Sequence, residues 1–357
     1  MNTRTALPAA LLLTTALLLT AMGCGPADAA DTAAKGDQAA PKAGAVRTLT
    51  LAGYTTPREV YGREIIPAFQ KMWKEKTGQE VRFEESYLGS GAQARAVVGG
   101  FEADIAALSL EPDLQKLVDA GLVQPDWNSG PYGGMVSRSI VVLGVRPGNP
   151  KGIRDWDDLR KPGINILTPS PKTSGGAMWN VAALHGAVTR GHAGGGAQPE
   201  AVLGQVLRNV SIMDKGARES MLTFESGVGD VAITYENEAL VAKQAGKAMD
   251  YVIPTSTILI ENPVAVVDTY ADKHGNRDVA EAFVAFLTTP EVQRMYARYG
   301  LRAVDPAVAA ETAAQYPRVQ DLFTVRDLGG WPALTSTLFA AGGSFDRASA
   351  SAGAAAR

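Results

Sequence analysis

The sequence predicts an α/β fold in which parallel strands and their helices are divided between two domains. Short apolar runs alternate with segments of helical periodicity through most of the chain, and such alternation is typical of parallel sheets covered by helices. The chain has 357 residues, and roughly 150 residues per domain gives about two domains. Hydrophobic residues make up 46% of the chain and charged residues 20%, so a sizeable core can form.

The predicted elements follow one another with short connections. We expect strands at residues 47–52, 81–86, 105–108, 139–145, 164–168, 210–214 and 231–235. We expect helices at residues 57–77, 91–100, 173–191 and from residue 217. The first helix is marked by Pro57 near its start and Gly78 at its end, which are the usual positions of these residue types. The Ala/Ser/Gly-rich tail, residues 347–357, is predicted to be disordered.

Charge and residue counts exclude several functions. Lys and Arg number 34 and Asp and Glu 37, so the formal net charge is −3, which argues against nonspecific binding to nucleic acid or anionic membranes. A chain with the single cysteine Cys24 has no intramolecular disulfide and no cysteine-based metal cluster. The histidines His185, His192 and His274 are too scattered for a zinc motif. We therefore expect neither a metal nor a cofactor.

The N-terminal segment predicts export. Arg4 is the only charge before an apolar run over residues 6–22, which is typical of a signal peptide. The run ends in Ala-Met-Gly-Cys at residues 21–24 and resembles a bacterial lipobox, which predicts a lipoprotein signal at residues 1–23 and lipidation of Cys24. The alternative is ordinary secretory cleavage near residues 29–30. Residues 24–45 lack hydrophobic periodicity and are predicted to be a flexible tether. Later apolar segments are too short to span a membrane.

Small residues stand three times where a strand gives way to a helix. These positions, which we call the three corners, are residues 89–93, 173–177 and 215–219. A helix N-terminus offers N–H groups without intrahelical acceptors and a partial positive charge, and glycine allows close backbone approach. Three corners that converge would hold a small dianion, although each corner alone is also explained as ordinary helix capping.

Templates for other activities do not fit. A nucleophile elbow would require glycine at Leu88. A phosphate-binding loop would require Ser or Thr at Ala248. The dinucleotide fingerprint at residues 89–94 lacks its acidic partner. These templates are therefore incomplete, and we do not expect the chain to be an enzyme.

Several motifs together resemble the sulfate/thiosulfate-binding proteins of bacterial ABC transporters. They lie at residues 73–78, 89–94, 147–151, 155–159, 172–177, 216–218, 236–240 and 339–346. The resemblance covers about residues 49–346. It implies a two-lobed periplasmic-binding-protein fold of type II, with parallel-sheet lobes joined by a two-segment hinge. Lobe one would comprise residues 46–137 and 256–346, and lobe two residues 138–255.

The resemblance also implies the ligand-binding residues. The corresponding positions here are Thr55, Ser90, Ser174, Gly175, Gly176, Ala217 and Tyr235. Most would act through backbone N–H groups, Ser174 would add its hydroxyl, and Arg218 would support the site from behind without touching the anion.

Two positions depart from the family pattern and bear on selectivity. Thr55 stands where the family usually has Asp, and Tyr235 where it has Trp. An all-donor site suits sulfate, which carries no proton at neutral pH, whereas phosphate keeps a proton and requires an acceptor. Tyr235 can donate or accept, and Glu225 or Glu236 would be an acceptor if turned inward, the alternative being a purely structural carboxylate.

The expected function is extracytoplasmic binding of sulfate or thiosulfate, with delivery to an ABC permease and its ATPase. Hinge closure would bring donors from both lobes onto the anion. The protein would be a monomer in the periplasm or on the outer face of the cell membrane, held there through Cys24, without nucleic-acid partners. The alternatives are the same architecture selective for phosphate, molybdate or an organosulfonate, and an anion-sensing receptor.

Overall fold

The computed structural model describes residues 46–355, with the side chains of the last two left out. The predicted signal peptide, Cys24 and the predicted tether lie outside these residues. The described strands are β1 (Arg47–Tyr54), β2 (Val81–Leu88), β3 (Ile105–Ala107), β4 (Met135–Val145), β5 (Ile166–Pro169), β6 (Val210–Asp214), β7 (Val231–Tyr235), β8 (Asp250–Val252), β9 (Ser256–Val266) and β10 (Asp321–Phe323).

Helices connect and cover these strands. They are α1 (Arg58–Val60), α2 (Ile66–Thr77), α3 (Ser90–Val98), α4 (Glu111–Asp119), α5 (Gly175–Thr189), α6 (Pro199–Leu207), α7 (Ala217–Glu225), α8 (Glu236–Gln244), α9 (Asp268–Lys273), α10 (Arg277–Leu287), α11 (Pro290–Arg298), α12 (Pro306–Thr312), α13 (Gly330–Leu334) and α14 (Ser344–Ala355). A π-helical turn, Tyr61–Ile65, joins α1 to α2, and another, Thr335–Phe339, follows α13. Short 3₁₀ helices lie at Pro131–Gly134, Trp156–Arg160, Gly194–Gly196, Ala313–Gln315 and Val325–Leu328.

The seven predicted strands are all present. The largest shift is at β4, which begins at Met135, four residues before the predicted start. The first helical segment ends as predicted at Gly78. This residue takes the left-handed conformation, with φ 73°, which favours glycine. The tight agreement reflects short apolar runs bounded by turn residues.

The sheet has two halves joined by two long strands. The strand order is β2-β1-β3-β9-β4-β7-β5-β6, with β10 beside β9 and β8 beside β4. In the first half, β1 runs parallel to β2 and β3; in the second, β5 runs parallel to β6 and β7. The linking strands β4 and β9 are antiparallel to each other, and each reaches into both halves. Parallel strands within each half place their carboxyl ends toward the junction between the halves.

Each half has its own core. In the first, an aromatic group packs α2, β2 and α10 together, with ring centroids 5.0 Å apart for Phe69 and Phe283 and 4.9 Å apart for Phe83 and Phe283. In the second, Trp179 of α5 meets Trp331 edge to face at 4.7 Å. Such pairs add about 0.5–1.5 kcal/mol beyond the burial of their area.

The C-terminal segment corrects two predictions. Residues 347–355, predicted to be disordered, belong to α14, which packs against α6. The assignment of residues 256–346 to one lobe fails after β10, because Trp331, Leu338, Phe345 and Ala348 are buried in the core of the second half. The reason is helical spacing of apolar residues, which buries one face of the segment on α5 and α6. The chain therefore crosses between the halves a third time, between Ala313–Gln315 and β10.

Candidate functional site

The three corners are the N-termini of α3, α5 and α7. The residues before these helices, Gly89, Ser174 and Gly216, have extended or turn backbone. The first N–H groups of each helix have no acceptor within the helix. Helices α3 and α5 both open with small residues, so a bound ligand could approach their backbone closely.

The structure brings the three corners together. A methyl group added to Gly89 would lie 2.6 Å from the carbonyl oxygen of Thr173 and 2.8 Å from that of Lys215. The N–H of Ala92 donates to the same Thr173 oxygen at 3.2 Å. The start of α3, in the first half, is therefore in direct contact with both corners of the second half.

The two glycines that open α5 are required by close packing. A methyl group at Gly176 would lie 2.9 Å from Cε2 of Tyr235 and 3.1 Å from Cβ of Ala217. One at Gly175 would lie 2.7 Å from Cβ and Oγ of Ser109. These glycines are buried, and buried N–H groups need hydrogen-bond acceptors. A small anion held at this point would supply them.

Ser174 and Ser90 use their hydroxyl groups differently. Oγ of Ser174 accepts from the N–H of Ala177 at 3.4 Å, which leaves its own proton to donate elsewhere. Oγ of Ser90 donates to Oδ2 of Asp113 at 2.7 Å and accepts from the N–H of Ser109 at 3.0 Å. Ser90 is therefore placed to offer its backbone N–H, because its hydroxyl proton is already in use.

Tyr235 ends β7 and faces the start of α5. Its side chain is 1% exposed, and its hydroxyl lies 2.7 Å from Oγ of Ser109. Burial raises the pKa of Tyr235 well above its usual range, although the hydrogen bond to Ser109 opposes this. The phenol is therefore neutral and can donate or accept.

Thr55 lies at the end of β1, on the α7 side of the site. It is buried, and a methyl group at Gly216 would lie 3.4 Å from its Oγ1. Thr55, Glu59 and Arg218 line the same cavity of about 420 Å³. Thr55 thus joins the first half to the corner at α7.

Arg218 points toward carboxylates. Its guanidinium lies 3.1 Å from Glu238, 3.3 Å from Glu225 and 3.5 Å from Glu59 of the first half. Burial raises the pKa of Glu238 to about 7, although Arg218 opposes the shift. This arrangement neutralises charge next to α7 and leaves Arg218 engaged with its acidic neighbours.

Glu225 and Glu236, the two possible acceptors, are both held in ion pairs. Glu236 is fully buried and pairs with the guanidinium of Arg302 at 2.7 and 2.9 Å. Glu225 pairs with Arg218 and, at 3.6 Å, with Lys247. Both are structural carboxylates in this conformation.

Sequence reasoning missed Ser109. It lies two residues beyond the end of β3, at the carboxyl end of a strand, much as Thr55 follows β1 and Gly89 follows β2. Ligands of open α/β sheets bind at these ends, so its position was a usable signal.

The described part of the chain offers neither a membrane-spanning helix nor a cluster of metal ligands. Within residues 46–355, each helix falls short of the length and apolarity that crossing a bilayer requires. The same residues contain no group of three or more His, Cys, Asp or Glu side chains placed to hold a metal ion.

Known proteins match most of this chain. The model of the bacterial extracellular solute-binding protein family matches residues 49–302. A sulfate-binding protein from Synechococcus elongatus is 46% identical over 94% of this chain and 93% of its own length. A thiosulfate-binding protein from Pseudomonas aeruginosa is 36% identical over 85% of this chain and 92% of its own. The structure of the sulfate-binding protein SubI from Mycobacterium tuberculosis superposes with a TM-score of 0.76, at 39% identity, over 82% of this chain and 99% of SubI.

Proposed function

The chain belongs to the bacterial extracellular solute-binding proteins, in the family of the sulfate- and thiosulfate-binding proteins, and we propose that it binds sulfate outside the cytoplasm and delivers it to an ABC permease. The protein would then act as a receptor, without a catalytic step.

The convergence of three helix N-termini carries this proposal. The N–H groups of Gly175 and Gly176 are buried and open α5, and Ala217 opens α7 within contact of them. Helix N-termini favour anions through their free N–H groups and their dipoles. Each hydrogen bond to a charged group contributes roughly 1.5–3 kcal/mol, so a few suffice for tight binding of a dianion.

We assign the anion contacts to both halves of the sheet. Ser90 and Thr55 would bind from the first half. Ser174, Gly175, Gly176, Ala217 and Tyr235 would bind from the second. Arg218 would act through its ion pairs, which hold α7 in place while keeping the guanidinium away from the anion.

Donor chemistry favours sulfate over phosphate. The backbone N–H groups at the corners only donate, and the nearby carboxylates Glu225 and Glu236 are held by cations. A protonated oxyanion would find few acceptors there. A second candidate ligand is phosphate or another protonated oxyanion. The hydroxyls of Tyr235 and Ser109 can each accept a hydrogen bond, which would admit such an anion.

We propose that the two halves are lobes that close on the anion. Lobe one would comprise residues 46–137 and 261 to about 316, and lobe two residues 138–260 and 321–355. Closure would bring together the contacts that cross the junction, such as Ala92 with Thr173 and Glu59 with Arg218. The permease would then recognise the closed form.

The remaining partners follow from the same proposal. The receptor would act as a monomer with the permease and its ATPase, and Cys24 would carry the lipid anchor. An anion-sensing role is the alternative to transport, and measuring sulfate uptake in cells that lack this protein separates the two. Uptake that is unchanged in such cells would contradict the transport role.

Calorimetric titration tests the ligand. The purified protein, freed of anions by dialysis, is titrated with sulfate, thiosulfate, molybdate and phosphate in turn. We expect tight binding of sulfate and no heat from phosphate. Preferred binding of phosphate or molybdate would contradict the sulfate assignment. Absence of binding by all four anions would contradict an oxyanion site altogether.

A further inference from the structure

Ser109 makes polar contacts with four different elements. Its N–H donates to Oγ of Ser90 at 3.0 Å, and its Oγ lies 2.7 Å from the hydroxyl of Tyr235. Its carbonyl oxygen accepts from Nε1 of Trp179 at 3.0 Å and from Nδ2 of Asn262 at 2.8 Å. These partners lie on α3 in the first half, on β7 and α5 in the second half, and on the linking strand β9.

The side chain of Ser109 also packs directly on the start of α5. A methyl group at Gly175 would lie 2.7 Å from its Cβ and Oγ, while Gly176 packs on the ring of Tyr235. Ser109 is 1% exposed. The pair of hydroxyls therefore lies beside the two N–H groups to which the anion contacts are assigned.

We infer that Ser109 is a positioning residue for anion binding: its hydroxyl fixes the Tyr235 hydroxyl across the junction, and its carbonyl ties α5 to the first half. This inference rests on the proposed function. Within residues 46–355 each hydroxyl makes this one hydrogen bond. When Ser109 donates to Tyr235, the phenolic proton is left to donate to the anion.

The positioning role predicts a specific dependence between the two side chains. If Ser109 acts by orienting Tyr235, then removing either hydroxyl removes the same contribution. The two losses would then fail to add, as expected for residues that act as a unit. Loss of the pair would also remove a contact across the junction. The closed form would then open more readily, and the anion would dissociate faster.

The chain offers a matched control in Ser256. This serine is also buried, its Oγ donates to Oδ2 of Asp321 at 2.6 Å, and its carbonyl accepts from Nε1 of Trp156 at 2.9 Å. It thus has the same combination of hydroxyl and indole contacts, at the start of β9 beside β10. Ser256→Ala removes an equivalent hydrogen bond outside the proposed site.

The test is a double-mutant cycle followed by sulfate titration and stopped-flow dissociation. We expect Ser109→Ala and Tyr235→Phe each to weaken binding about 10-fold, and the double variant to be weakened by about the same factor. Ser256→Ala should change affinity less than about 2-fold, since the substitution lies outside the site. The dissociation rate should rise in step with the loss of affinity.

Several results would overturn the inference. These are an additive loss of about 100-fold in the double variant, unchanged binding by Ser109→Ala, or an equal effect of Ser256→Ala. If Ser109→Ala does not fold, unchanged binding by Tyr235→Phe, which removes only one oxygen, overturns it as well.

The wild-type titration separates this inference from the proposed function. A wild type that binds phosphate or molybdate in place of sulfate contradicts the function, while the same cycle run with that anion still decides the role of Ser109. A wild-type protein that binds none of the four anions overturns both the proposed function and the role of Ser109.

Discussion

The corners at α5 and α7 place backbone N–H groups at the same point by different physical means. Helix α5 begins with two glycines under the Ser174 cap, and nearly all of its residues are buried. Helix α7 begins after Gly216, and charged residues follow immediately, with Arg218 in three ion pairs and Glu219 in the first turn. Packing fixes the first corner and charge pairing fixes the second. Substitutions should therefore act sterically or through new charge at α5, and through pH and salt at α7.

A carboxylate placed at the α5 corner should have the largest effect. Ser174→Asp keeps a good helix cap but puts a negative charge beside the anion. Two unit charges about 4 Å apart interact by ~4 kcal/mol at an effective dielectric constant of 20, which corresponds to ~1000-fold in affinity. Sulfate titration measures the loss, and thermal unfolding checks the fold. The neutral Ser174→Asn variant is the control, and binding by Ser174→Asp within 10-fold of the control would contradict the assignment.

The α7 corner should respond to pH through Glu238. The folded-state pKa of about 7 is raised above the usual 4.5 by burial, so folding favours the protonated form. The contribution of Glu238 to the free energy of unfolding is fully present below about pH 4.5 and is lost as the pH rises to about 7. The loss is about 3 kcal/mol.

Chemical unfolding of wild type and Glu238→Gln at several pH values isolates that contribution. The difference in the free energy of unfolding between the two proteins should shift by this amount between pH 4.5 and 7. Ser174→Asn, at the α5 corner, should follow the wild-type pH dependence. A pH-independent difference between wild type and Glu238→Gln would show that the carboxyl does not titrate in this window.

A methyl group at the start of α5 should have a smaller, steric effect. In Gly176→Ala the added carbon lies 2.9 Å from the Tyr235 ring and 3.1 Å from Ala217. Overpacking of this kind costs about 1–3 kcal/mol, and we expect sulfate binding to weaken by roughly 10- to 100-fold. Gly130→Ala is the control, because its methyl group would have no neighbour within 4 Å. Equal affinities of the two variants would place the anion away from α5.

The smallest effect should come from Glu219. Its carboxylate lies against Gly216 at the start of α7, where it stabilises the helix but repels a bound dianion. Glu219→Gln should tighten sulfate binding about 2-fold at low salt, an effect that fades as the ionic strength rises. Titrations at two salt concentrations measure this. A gain in affinity that is independent of salt would contradict an electrostatic origin.

Local patterns account for what the sequence predicted correctly. The seven strands and the three corners follow from short apolar runs and turn residues that act over a few positions. The comparisons confirm the resemblance to the sulfate/thiosulfate-binding proteins and the α/β fold class. The roles of the individual site residues stay predictions.

Contacts between distant residues explain what was missed. Ser109 carries no motif of its own, and its importance arises from Tyr235 and Asn262, which lie more than a hundred positions away. Strand β9 contains Asn262 and Pro263 near its middle, which obscured its strand pattern. The tail was mistaken for a disordered segment because alanine and serine give a weak apolar signal until α6 covers them.

The third crossing gives the two ends of the described chain different attachments. Strand β1 begins at Arg47 in the first half, and α14 finishes at Ala355 on the second half. A rotation of one half against the other would therefore move one of these ends relative to the other. Energy transfer between a fluorophore near each end would report this movement, while the site itself stays unlabelled.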